Sequence, residues 1–143
     1  LGNSKTPTSP LANSLMAALP SDLRAVMKSV TKYTDNVGNA TGSVAGNVTA
    51  TTDYLFLLAE FEVFGSRYYA NDYESNSQLQ YDYYKASNSR VAYKHNITGT
   101  AVWWWLRSPN YNNNNNFCNV NTGGGNNNNN AYYSAALLPG FAT

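Results

Sequence analysis

Two runs of five asparagines, residues 112–116 and 126–130, flank a short strand-like island, Phe117-Cys118-Asn119-Val120-Asn121-Thr122, and three glycines in the last third of this chain. The asparagine amide competes for nearby backbone groups, so the residue favours turns over strands, and long asparagine tracts are ordinarily disordered. Here the block is preceded by Trp103-Trp104-Trp105-Leu106 and followed by Ala135-Ala136-Leu137-Leu138-Pro139-Gly140-Phe141, both apolar enough to enter a core. Its two ends are therefore pinned. The pattern predicts a strand over the island, anchored by Phe117, with the two asparagine runs as exposed loops on a rigid scaffold, where recognition concentrates.

The rest of the composition narrows the chemistry. At 143 residues the chain suits one domain, folding without disulfides or metals. A formal charge of +1 and 12% charged residues supply no basic field for nucleic acid. One cysteine, Cys118, and one histidine, His95, exclude an internal disulfide, the usual zinc clusters and most catalytic triads, so no cofactor is implied. No run approaches the roughly 18 to 20 apolar residues of a membrane span, and the N-terminus lacks the grammar of a signal peptide. Leu1 at the start and a proline-containing lead-in suggest a piece of a larger protein or assembly. Twelve tyrosines among 14% aromatics are the amphipathic side chains that binding surfaces favour.

Along the chain, residues 1–10 read as a linker, and residues 11–143 as the domain. Leu11, Leu15 and Leu19 have helical spacing. Pro20-Ser21-Asp22 then starts a second helix with Leu23, Val26, Met27 and Val30 on one face. Residues 35–52 read mostly as loop, with weak hairpin potential around Val44, Val48 and the threonines. Residues 54–58 read as a central strand, and residues 60–64 as a short helix closed by Gly65 in the left-handed conformation. Residues 66–96 give no clean period, while residues 100–106 form the second strong strand. Together these elements predict an α+β architecture, with helices on a small twisted antiparallel sheet carrying long loops.

The segments Thr51-Thr52-Asp53-Tyr54-Leu55-Phe56-Leu57-Leu58, Glu62-Val63-Phe64-Gly65, Trp104-Trp105-Leu106-Arg107-Ser108-Pro109, Asn116-Phe117-Cys118-Asn119-Val120-Asn121-Thr122 and Leu138-Pro139-Gly140-Phe141 follow in order. In this the chain resembles the WWLRSP-type domain of bacteria and their phages. That family resembles the C-type lectin fold in its formylglycine-generating-enzyme-like branch, and many members look like variable proteins of diversity-generating retroelements. The resemblance implies a variable region over about residues 103–143, in which asparagine codons are targets of adenine-directed miscopying. The diversified ligand-binding side chains would be Asn110, Tyr111, Asn112, Asn113, Asn114, Asn115, Asn116, Asn119, Asn121, Asn126, Asn127, Asn128, Asn129, Asn130, Tyr132, Tyr133 and Ser134. Trp103, Trp104, Trp105, Arg107, Glu62 and Phe117 would be structural. Family members usually carry a further strand before the first helix, whose absence would leave a sheet edge open.

Other chemistry has little support in the residues. Cys118 reads as a buried inert thiol and His95 as a surface histidine. Glu60 and Glu62 lie two apart in one turn and so face different ways, which is wrong for an acid–base pair. An arginine directly after a tryptophan strand needs a carboxylate, and Glu62 or Glu60 is the expected partner of Arg107. Three sequons, at Asn39, Asn47 and Asn96, read as chance matches in an Asn- and Thr-rich chain. The leading expectation is a non-enzymatic module that recognises a protein or glycan on a cell surface, placed outside the cell or on a virion. A self-associating polypeptide with stacked asparagine ladders is the alternative, and an enzyme of the formylglycine-generating type a distant third.

Overall fold

A computed structural model describes residues 5–143, with the side chains of Lys5 and Thr98 outside the description. In chain order the elements are β1 (Lys5–Thr6), β2 (Ser9–Pro10), α1 (Leu15–Ala18), α2 (Ser21–Val26), β3 (Val30–Asp35), β4 (Val48–Asp53), β5 (Phe56–Leu57), α3 (Glu60–Phe64), α4 (Asp82–Lys85), β6 (Ala92–Lys94), β7 (Ile97–Val102), β8 (Trp104–Pro109), β9 (Asn116–Val120), β10 (Asn126–Asn130) and β11 (Pro139–Gly140). One-turn 3-10 segments occupy Ala45–Asn47 and Asp72–Asn76. Few short helices with small antiparallel sheets make the class α+β.

The chain forms two compact units. The first comprises residues 1–32, 50–56 and 139–143, of which residues 1–4 lie outside the description. The expected linker is only partly testable: its first four residues are among those not described, and the remainder pairs as the hairpin β1–β2. Both expected N-terminal helices are present but shorter than expected: Leu11 precedes α1, and α2 ends at Val26, with Met27 extended and Val30 opening β3. Ser14 caps α1 by accepting from the Ala17 N–H, as a short hydroxyl side chain does at a helix start. Met16, Met27 and Leu55 form a small core with Leu15, Leu19 and Tyr54 against it. Near the C-terminus Gly140 lies under the Phe56 ring, where an added Cβ would sit 2.6 Å from the ring edge.

The second unit, residues 33–49 and 57–138, holds the main core of Val63, Ala70, Tyr84, Trp104, Leu106, Cys118 and Val120. Its sheet has the order β10-β9-β8, antiparallel throughout, and β6–β7 makes a separate ribbon. Trp104, Leu106, Cys118 and Val120 alternate toward the core. Trp103 and Trp105 take the other side, stacked edge to face at 4.8 Å. Burying Trp104 completely is worth about 3–5 kcal/mol against truncation.

Four expectations are corrected. The predicted strand over residues 100–106 breaks at Trp103, because Ala136 docks there, donating to the Trp103 carbonyl and accepting from the Trp105 N–H at 3.1 Å each. Only Phe56–Leu57 of the expected strand over residues 54–58 is extended in a ladder. Residues 35–52, read mostly as loop, end in strands β3 and β4, which pair with each other. The asparagine run 126–130, expected as an exposed loop, is strand β10 in register with β9 from Asn126 opposite Val120 to Asn130 opposite Asn116. Backbone pairing offered by the neighbour outweighs the weak intrinsic preference of asparagine.

Candidate recognition surface

The surface is organised from a buried polar layer in the second unit. Helix α3 runs from Glu60 to Phe64 and ends at Gly65, whose φ of 66° is the left-handed conformation that glycine adopts without strain. Its two glutamates face different partners. Glu60, fully buried, accepts from the backbone N–H groups of Tyr68, Tyr69 and Ala70 at 2.8–3.0 Å, drawing that loop onto the helix. Glu62 accepts from the Ala59 N–H at 2.9 Å, the reach-back bond of a helix start. It also pairs with Arg107, as expected from the sequence, through Nη1 to Oε2 at 2.5 Å and Nη2 to Oε1 at 2.9 Å.

Arg107 projects from β8 and spends its remaining donors on Thr34 Oγ1 at 2.6 Å and on the carbonyls of Leu57 and Tyr33. One side chain thus ties α3, β3 and the segment before α3 together. The next residue, Ser108, donates to Glu74 at 2.6 Å and accepts from the Glu60 N–H at 3.1 Å. Glu74 further accepts from the Asp35 N–H and from Gln78, and Asn71 bridges Asp35 to the Val44 carbonyl. Burial pushes the Glu74 carboxyl above its ordinary value, against the hydrogen bonds from Ser108, Asp35 and Gln78 and the charge of Arg107, which lower it. Sequence reasoning missed Asp35, Asn71, Glu74 and Ser108, because their spacing carries no motif. Ser108 alone had a cue, its place beside Arg107.

Above this layer the asparagine block divides into held and free side chains. Asn128 Oδ1 accepts from Asn110 Nδ2 at 3.1 Å and from Asn116 Nδ2 at 2.6 Å, so three separate stretches meet at one amide. Asn121 Oδ1 accepts from the N–H groups of Gly123 and Gly125, folding the glycine turn in which Gly124 has φ 84°. Asn113 makes the same kind of local turn with the Asn115 N–H. Tyr111 has its backbone bonded to Gly42 and Tyr69 and its ring under the Arg67 guanidinium at 4.1 Å. The free set is Asn112, Asn114, Asn115, Tyr133 and Ser134, all exposed; Tyr132, 76% exposed, accepts from Asn130 Nδ2 at 3.3 Å, and Asn127, also exposed, accepts from the Asn128 N–H at 2.8 Å. Tyr132 and Tyr133 stack with ring centroids 4.6 Å apart.

Three residues lie elsewhere than expected. Asn110 and Asn119, placed by the sequence among the ligand-binding side chains, are 5% and 1% exposed, since the sheet encloses the island and its approach. Phe117, read as an anchor, is 39% exposed, because strand alternation sends Cys118 and Val120 to the core and Phe117 outward. Cys118 is fully buried, and desolvation with Glu60 and Glu74 nearby pushes its thiol well above the ordinary value. His95 is exposed at the β6–β7 tip. There it lines, with Tyr93, Lys94, Trp103, Ser134 and Leu137, an open groove of about 550 Å³. Among the described residues no helix is long and apolar enough to cross a membrane.

No curated protein and no solved structure is matched by the chain. A family model matches residues 9–142, nearly the whole length, and the chain therefore belongs to the family described as Domain of unknown function (DUF6273).

Proposed function

We propose that this chain is a non-catalytic recognition domain of C-type lectin-like fold, whose C-terminal face is diversified by a retroelement and engages a protein or glycan on a cell surface. The observation that carries the reading is the segregation just described. Exposed side chains, Asn112, Asn114, Asn115, Tyr132, Tyr133 and Ser134, stand on segments fixed by other residues, while the core beneath is closed. Exchange at exposed sites without special backbone or packing roles costs within about 0.5 kcal/mol, so such a face can vary without unfolding. Tyrosine contributes rigid contact area and asparagine adaptable hydrogen bonding, the mixture that recognition loops use.

On this reading Asn110, Asn116, Asn119, Asn121 and Asn128 belong to the scaffold, and the diversified set is narrower than the asparagine count suggests. The protein acts outside the cell or on a virion, as part of a larger assembly. A thiol as deeply buried as Cys118 supports binding over cysteine chemistry. The test is to compare copies of the gene from its source. Differences confined to the 3′ end and falling on codons of the exposed set are the expected result. A 3′ end identical in every copy, or changes falling equally on Asn110, Asn119 and Asn128, would overturn the proposal.

A further inference from the structure

Strand β10 lies at the edge of its sheet, with β9 on one side and no strand on the other among the described residues. The phase of its ladder is set at both ends. Just beyond the strands, the Asn121 N–H bonds the Gly125 carbonyl and the Ala131 N–H bonds the Asn115 carbonyl, each at 2.8 Å and in the register of β9 and β10. Bonded and unbonded positions alternate in an antiparallel pair, so Asn127 and Asn129 turn their backbone groups to β9, whereas Asn126, Asn128 and Asn130 turn theirs outward. Such a row, uncharged and without proline, is ordinarily a template for another strand.

Two of these outward donors are already engaged. Asn127 Oδ1 accepts from the Asn128 N–H at 2.8 Å, and Asn129 Oδ1 accepts from the Asn130 N–H at 3.2 Å. Each amide folds over the next residue's edge donor. We infer that the outer edge of β10 is a strand-pairing surface whose partner is β10 of a second copy, held shut by the side chains of Asn127 and Asn129. The occupant follows from the strand itself: with five uncharged residues of one type, a second copy meets the same unrepelled outward groups of Asn126, Asn128 and Asn130 after any two-residue shift, although the Asn130 carbonyl already accepts from the Tyr133 N–H at 3.1 Å. Removing the side-chain acceptors frees the donors for that partner. The inference stands independently of whether the gene is diversified.

The test compares the full chain with N127A/N129A and with N112A/N115A, the same change made at exposed loop positions. Sedimentation velocity is expected to give a self-association constant at least tenfold higher for N127A/N129A, and a value like the parent's for N112A/N115A. Amide exchange in dilute solution should accelerate at least fivefold at Asn128 and Asn130. Equal association of both variants with the parent, with unchanged circular dichroism and melting, would overturn the inference, as would equal rises in both. If the double variant does not melt cooperatively, the single variants decide: N127A should speed exchange at Asn128 only and N129A at Asn130 only, and unchanged rates in both would sink the idea.

Discussion

Arg107 and Glu62 meet as a two-point fork, Nη1 to Oε2 and Nη2 to Oε1, with only 13% and 4% of their side chains exposed. A planar guanidinium matches a carboxylate in this way, whereas a lysine ammonium would satisfy one oxygen at a time. The pair joins the end of the tryptophan strand to α3.

Breaking that fork leaves a buried charge without its partner. Glu62→Ala is expected to cost about 3–5 kcal/mol in urea unfolding, and Glu62→Gln less, because the amide oxygen still accepts from Arg107 or Ala59. Arg107→Lys should cost more than exchange of an exposed arginine. A loss under about 1 kcal/mol for Glu62→Ala would mean that Thr34 and the backbone carbonyls hold Arg107 by themselves.

Burial raises the folded-state affinity of Glu74 for a proton above that of an ordinary glutamate. A raised carboxyl favours the fold in its protonated form, so that contribution is fully present below the unfolded value. It is lost as pH climbs through the folded value. Stability measured from pH 4 upward should fall in the parent relative to Glu74→Gln, and the difference should level off once Glu74 is ionised. Parallel curves for the two proteins would refute the assignment.

The division of the asparagines into held and free predicts unequal costs for one substitution. Asn128→Ala removes the acceptor shared by Asn110 and Asn116 and should cost about 1–3 kcal/mol. Asn112→Ala and Asn115→Ala should stay within about 0.5 kcal/mol of the parent. Thermal melts of the three variants suffice, and equal shifts would contradict the scheme.

Much of the local structure was legible in the residues. The stop at Gly65, the second helix after Pro20, the strand over Cys118 and Val120, and a carboxylate for Arg107 all follow from rules that act within a few residues or on one unsatisfied group. The α+β class follows from those elements together.

What the residues alone could not decide is which asparagines are structural. A homopolymer has no alternation, so nothing within residues 126–130 distinguishes the amide of Asn128, clasped by two others, from that of Asn127, which is exposed. The distinction comes from β9, whose unpaired backbone turns the run into a strand and whose register assigns each side chain its face. Glu74, Asn71, Asp35 and Ser108 are likewise gathered only by the fold, from stretches up to 73 positions apart, because hydrogen bonding between buried groups depends on proximity in space and leaves no period in the chain.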